Sequence, residues 1–331
     1  MLQLGDTFCR GFKVVGVVGG EGTSAEAIVY ILEHEESGAR VVAKTPQEKV
    51  GKGIWLPLYM QYTATQLLSA HPNFVKCLDF VNDKGLPYLP TDLRALPSAF
   101  HVPADGWGDP YLILEYVDAP TLTEVLRVGH RRFHEAVDWW VQIASAIEYA
   151  RSLNYIVVQL SNDNILITAA NLVRILDVEV TEVLQEGLVL PLVFKSLPAD
   201  RLLYADSSYL ARLMHHTLNL TIIEEWLAAV SYKGPTERNK WEAEWRHMAD
   251  VSDHLYQLSG NVTILDSHAL PSQMRNAMGK IISVITRLGS QMSKKEPINF
   301  KELVMDLVHI HEQLDVHPQC PFTHVVPYVP R

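Results

Sequence analysis

Three short segments near the start of the chain, 12–18 (FKVVGVV), 27–34 (AIVYILEH) and 40–45 (RVVAKT), are rich in β-branched residues and separated by glycines or charged turns. Such side chains suit a pleated, half-buried surface, and the short polar breaks allow only tight connections, so the segments predict an antiparallel meander. A sheet of this kind must bury one face. The next segment, 56–70 (LPLYMQYTATQLLSA), has helical apolar spacing and stops before His71-Pro72-Asn73, where Pro72 turns its predecessor away from helix. Two further strands are predicted at 74–81 and 111–117 (YLILEYV). Between them lies a stretch with prolines at 87, 90, 97, 103 and 110, which reads as an inserted loop over 85–110. From about residue 121 the pattern becomes helical, with 122–126 and then a long periodic helix at 135–153. Short apolar runs at 155–158, 164–168 and 172–176 come next, split by Ser161-Asn162-Asp163 and Ala169-Ala170-Asn171. These loop tips are where polar chemistry would sit.

The rest of the composition narrows the function. With 48% hydrophobic and 20% charged residues the chain is globular, and a formal charge of −10 argues against a general nucleic-acid-binding surface. Cys9, Cys77 and Cys320 are too few and scattered for a disulfide framework or a four-ligand zinc site, which suits a reducing cytoplasm. No basic-then-apolar leader and no bilayer-length apolar run is present, so a soluble chain without membrane insertion is expected. Adjacent histidines (His215-His216) and the pair His309 and His311 point to different helix faces and make no ready chelate. His317, Cys320 and His324 lie in a proline-bearing segment, 316–331, that should run as an extended tail.

Several words fall in a telling order. Val42-Ala43-Lys44 ends the third strand; Tyr111-Leu112-Ile113-Leu114-Glu115-Tyr116-Val117 forms an apolar strand running into a polar connection. A long helix, a strand and a loop then lead to Asn164-Ile165-Leu166-Ile167, and Val173-Arg174-Ile175-Leu176-Asp177 sets an aspartate behind another strand. This order resembles the protein kinase-like superfamily over residues 10–315, with Asp206 and Tyr209-Leu210-Ala211 similar to the start of its buried helix. The resemblance implies an α+β fold of two lobes: a sheet-and-helix N-lobe over 1–117, carrying the insertion, and a helical C-lobe over 118–315.

It also implies a site for ATP and Mg²⁺. Val29 and Ala43 would cover adenine and Leu166 would support it, Leu114 would be the gatekeeper, and backbone groups of Glu115 and Val117 would meet its polar edge. Lys44 would hold phosphates; Asn164 and Asp177 would be the metal ligands, since hard divalent cations take carboxylate and amide oxygens. The glycine-loop places fall on Gly22, Ser24 and Ala27, with Glu21 and Glu26 nearby. Taken singly, Lys44 also suits a surface lysine on a strand, Asn164 and Asp177 suit loop caps, and 19–27 suits a plain hairpin.

The departures bear on chemistry. Where the family has His-Arg-Asp this chain reads Val157-Val158-Gln159, and an amide cannot take a hydroxyl proton at neutral pH. The lysine two residues on is Ser161. The metal aspartate is followed by Val178-Glu179, without the flexible glycine. The helical partner expected for Lys44 falls on Gln61 or Tyr62, with Glu48 the nearest acid. No clean Ala-Pro-Glu stands near Pro198, and Glu296 replaces an expected arginine, so the lower lobe must be held another way. Residues 188–194 are apolar enough to pack down, while Thr181 and Ser196 are the segment's hydroxyl side chains before Pro198. The expected function is therefore a pseudokinase acting as a protein-binding or regulatory module, with nucleotide as a candidate ligand and a protein as partner. Residues 85–110, the region 224–246 with Trp226, Trp241 and Trp245, and the tail are its candidate surfaces. The competing expectation is a divergent ATP-dependent transferase, protein kinase or nucleotidyltransferase, whose base is Asp163, Glu179 or the substrate itself.

Overall fold

A computed structural model describes residues 2–18, 27–46, 55–82, 84–85, 109–128, 133–158, 160–183, 189–190, 204–214, 217 and 272–314. The chain divides into two compact units. One contains Met1–Ala119 together with Arg174–Val180; the other contains Pro120–Val173 and the described residues from Thr181 onward.

In the first unit six strands form one antiparallel sheet: β1 (Thr7–Phe8), β2 (Phe12–Val18), β3 (Ala27–His34), β4 (Arg40–Pro46), β5 (Cys77–Asn82) and β6 (Pro110–Glu115), ordered β1-β2-β3-β4-β6-β5. The meander predicted from β-branched content is present, joined at β3–β4 by a turn whose Gly38 has φ 66°, and β1 is a short addition that no apolar pattern announces. Alternation sorts the side chains cleanly. Ile28, Tyr30, Leu32, Ala43, Tyr111 and Ile113 join Phe8 and Val14 in one buried cluster. The opposite face gathers Leu112, Leu114, Phe80 and Val42 against Leu58 and Tyr59 of helix α1 (Trp55–Leu68). In β2 the register shifts between Val14 and Gly16, and a Cβ at Gly16 would stand 3.1 Å from the Ile31 side chain, closer than it could pack without displacement.

The strand expected at 74–81 begins later, at Cys77, because the backbone before it has another partner. Phe74 bridges Ile175 in parallel, the Val75 N–H donates to the Ile175 carbonyl (3.1 Å), and the Ile175 N–H donates to the Asn73 carbonyl (2.7 Å). Likewise the strand expected at 111–117 ends at Glu115. Burial pushes the Cys77 thiol up to about 12.

The second unit is built on α3 (Phe133–Ser152), whose buried Trp139, Trp140, Ile143 and Ile147 recur at helical spacing. It packs against α6 (Phe300–Leu314), and α5 (Ser272–Lys294) packs on α6 in turn. Helix α2 (Leu122–Val128) precedes α3, and residues 205–214 form α4. Strands β8 (Ile165–Ile167) and β9 (Val173–Ile175) pair through a turn in which Asn171 has φ 61°. Strand β7 (Tyr155–Val158) lies in a three-stranded sheet with β10 (Glu179–Val183) and β11 (Val189–Leu190). The apolar 188–194 segment thus contributes a strand at Val189–Leu190. Residues 86–108 of the proline-rich insertion, the tryptophan region 224–246 and the tail 316–331 lie outside the described residues.

Candidate functional site

Lys44 sits near the end of β4, directly opposite Val29 of β3 and Leu112 of β6 in the ladder. Neighbours along a strand point to opposite faces, so Lys44 shares its face with Val29, Val42, Leu112 and Leu114. Ala43 does not. It is fully buried in the other cluster, against Tyr30 and Ile113, which corrects its assignment as a cover for adenine. Val42, one residue earlier, occupies the Lys44 face. A count of two from Lys44 along the strand would have identified it.

The Lys44 ammonium forms an ion pair with Oδ1 of Asp177, with the lysine side chain 17% and the aspartate side chain 41% exposed. A second donor reaches the same oxygen: Nε2 of Gln61, a residue of α1 that is 7% exposed. Of the two helical candidates, Gln61 thus reaches the carboxylate that pairs with Lys44. The Tyr62 ring turns the other way and stacks on Phe80, centroids 5.1 Å apart, and burial raises its phenol above the usual range. Asp177 itself has φ 50°, a left-handed conformation that aspartate tolerates better than most side chains.

Three residues before Asp177, Arg174 is tied down twice. Its guanidinium pairs with Glu115 and donates through Nη1 to the Pro72 carbonyl (2.8 Å), and burial pulls it below the usual arginine range. Glu115 in turn accepts from the Lys76 N–H (2.7 Å) and gives its own N–H to the Lys76 carbonyl (3.0 Å). That N–H is committed within the protein, so the expected hinge contact at Glu115 reduces to its carbonyl. Val117, partly buried, packs against the cluster that contains Leu112 and Leu114.

In the second unit, Asn164 ends a single 3₁₀ turn, Asn162–Asn164, and its N–H donates to the Ser161 carbonyl (3.1 Å). Leu166 is next on β8, 8% exposed, and bridges Thr121. Asp163 at the tip is exposed. Asn162 accepts a hydrogen bond from the Tyr209 phenol (2.8 Å), which burial holds above its usual range, so the turn is fastened to α4. Asp206, completely buried at the start of that helix, receives Nε and Nη2 of Arg151 at 2.8 and 2.7 Å, and Arg151 also lies over the Phe300 ring. This pair, with Arg287 joining Glu302 and Asp306 between α5 and α6, supplies the other means of holding the lower lobe.

Gln159, Gly22, Ser24, Glu21 and Glu26 lie outside the described residues, as does the side chain of Glu179. Among the described residues no group of three or more His, Cys, Asp or Glu comes together to hold a metal ion, and no helix is long and apolar enough to cross a membrane.

The family model for protein tyrosine and serine/threonine kinases matches residues 102–188. The match runs from β6 through α3 and the Asn162–Asn164 turn to β10, and so includes both Asn164 and Asp177. No curated protein matches the chain. This match makes residues 102–188 similar to the protein kinase-like superfamily, and the antiparallel sheet with its helix and the helical second unit accord with a kinase-like α+β fold.

Proposed function

We propose that this kinase-like chain is a pseudokinase, a nucleotide-binding module that works through a protein partner and does not transfer phosphate. The observation that carries the reading is Gln159. In sequence it follows Val158, at the place where the family's carboxylate would accept the proton of an attacking hydroxyl. An amide can hydrogen-bond that hydroxyl but cannot remove its proton, and loss of such a base costs about 10²- to 10⁴-fold in rate. Ser161 adds no cation in place of the family's lysine.

Nucleotide binding is supported by the residues that remain. Val29, Val42 and Leu114 offer an apolar face beside the Lys44 ammonium. The Glu115 carbonyl and the Val117 N–H would meet the polar edge of the base. Asn164 and Asp177 are the residues to which a divalent cation would be assigned by family likeness.

Two measurements test the reading. ATP should raise the unfolding temperature of the native protein and not that of a Lys44→Ala variant; absence of a shift in the native protein removes nucleotide from the proposal. Incubation with γ- and α-labelled ATP should leave all label on nucleotide. Transfer of γ label would make the chain a phosphotransferase, and transfer from the α position alone would make it a nucleotidyltransferase.

A further inference from the structure

We infer that Gln61 commits Asp177 to Lys44, so that the site holds nucleotide without a divalent cation. The inference rests on the nucleotide reading above and concerns how that site is balanced.

The starting point is the convergence of Lys44 Nζ and Gln61 Nε2 on the single oxygen Oδ1 of Asp177. The three side chains sum to zero formal charge. A carboxylate has acceptor sites only, so each donor placed on it removes a position that a cation could take. Magnesium demands near-ideal octahedral oxygen ligation and sheds water reluctantly, and usually enters through one or two carboxylates plus phosphate. Among the described residues Asp177 is the carboxylate at the site; its charge is balanced by an ammonium and its Oδ1 is taken up by two donors, so a dication meets a carboxylate that is already neutralised.

The identity of residue 61 decides the arrangement. A glutamine amide donates to Asp177 through Nε2 and carries no charge, so Lys44 has a single anionic partner there. A glutamate in its place would have no N–H to give, would repel Asp177 and would draw Lys44 to itself. Asp177 would then be left for a metal. Gln61 thus acts as a positioning residue through Asp177, and its 7% exposure keeps water from competing for the amide.

The test uses the full chain and a fluorescent ATP analogue, titrated in EDTA and again in millimolar Mg²⁺. Native protein should bind with affinities that differ by less than about fivefold between the two buffers, a span of about 1 kcal/mol. Gln61→Glu should acquire a Mg²⁺ dependence above that span. Asp177→Asn should bind more tightly than native in EDTA, because Lys44 is released to the phosphates. Native binding that strengthens more than about fivefold with Mg²⁺ overturns the inference and leaves the nucleotide reading standing. Absence of native binding in both buffers overturns both. A folded Gln61→Glu variant that stays indifferent to Mg²⁺ removes the role of Gln61; if that variant does not fold, Asp177→Asn binding no more tightly than native in EDTA overturns the inference.

Discussion

Asp206 is the most demanding side chain in the described part of the second unit, since its carboxylate is entirely buried and must find charge and donors inside the protein. Arg151 meets it with two parallel hydrogen bonds, and the Ser207 N–H and hydroxyl add two more at 2.6 and 3.0 Å. Removing one partner of such a pair leaves an uncompensated charge, which costs about 3–5 kcal/mol. Arg151→Met should therefore lose stability of that order in urea unfolding. A second substitution, Asp206→Ala, made in that variant should recover part of the loss; additive losses would show that the pair carries no coupling. At the same scale, the fate of Ala43 is a lesson in strand geometry. The motif Val42-Ala43-Lys44 was legible as a word, but a word does not assign faces; alternation does, and it sends Ala43 to the opposite side from Lys44.

Helix α2 begins with a reciprocal cap: the Glu124 N–H donates to Thr121 Oγ1 (3.2 Å), and the Thr121 N–H donates to Glu124 Oε2 (2.7 Å). Each side chain satisfies a backbone donor that the first helical turn would otherwise leave open. Thr121→Ala should cost about 1 kcal/mol, and Thr121→Ser should stay close to native, as read by chemical unfolding. The same backbone turn holds β8, through the Ile167 N–H on the Pro120 carbonyl (3.0 Å), so fraying would loosen the strand that carries Leu166. Elements such as β2, β3, β4 and α3 were legible from periodicity because they repeat their apolar residues strongly. The orientation of α1 was not. Its sequence is apolar on nearly every side, so no stripe tells which residue turns inward, and by pattern alone Gln61 and Tyr62 are equivalent. Strand β10 has no such signal because it exists through its partners in the sheet, not through a pattern of its own.

At the scale of the whole molecule, stability should depend on pH through His71. Burial lowers this imidazole to about 4, and the Asn73 N–H donates to its Nδ1 (3.3 Å), which favours the neutral ring. Well above pH 6.5 neither folded nor unfolded chain protonates it. As pH falls from 6.5 toward 4 the unfolded chain takes up a proton that the folded one refuses, so stability declines across that window, by on the order of 3 kcal/mol in all. Unfolding free energy measured at pH 7, 5.5 and 4.5 should show the decline in native protein and a shallower one in His71→Gln; equal slopes would discount His71. The likeness between Gln159 and its neighbours and a catalytic loop could be read in sequence alone, whereas the pairing of Lys44, Asp177 and Gln61 joins residues 116 and 133 positions apart and no local pattern encodes it. The membership of Arg174–Val180 in the first unit has a consequence for biosynthesis. The first 119 residues emerge from a ribosome without the piece that bonds to Asn73 and Val75 and packs Leu176 beside Leu114. That unit can be completed only after the intervening residues of the second have been made, so the nascent chain cannot finish its folding one unit at a time.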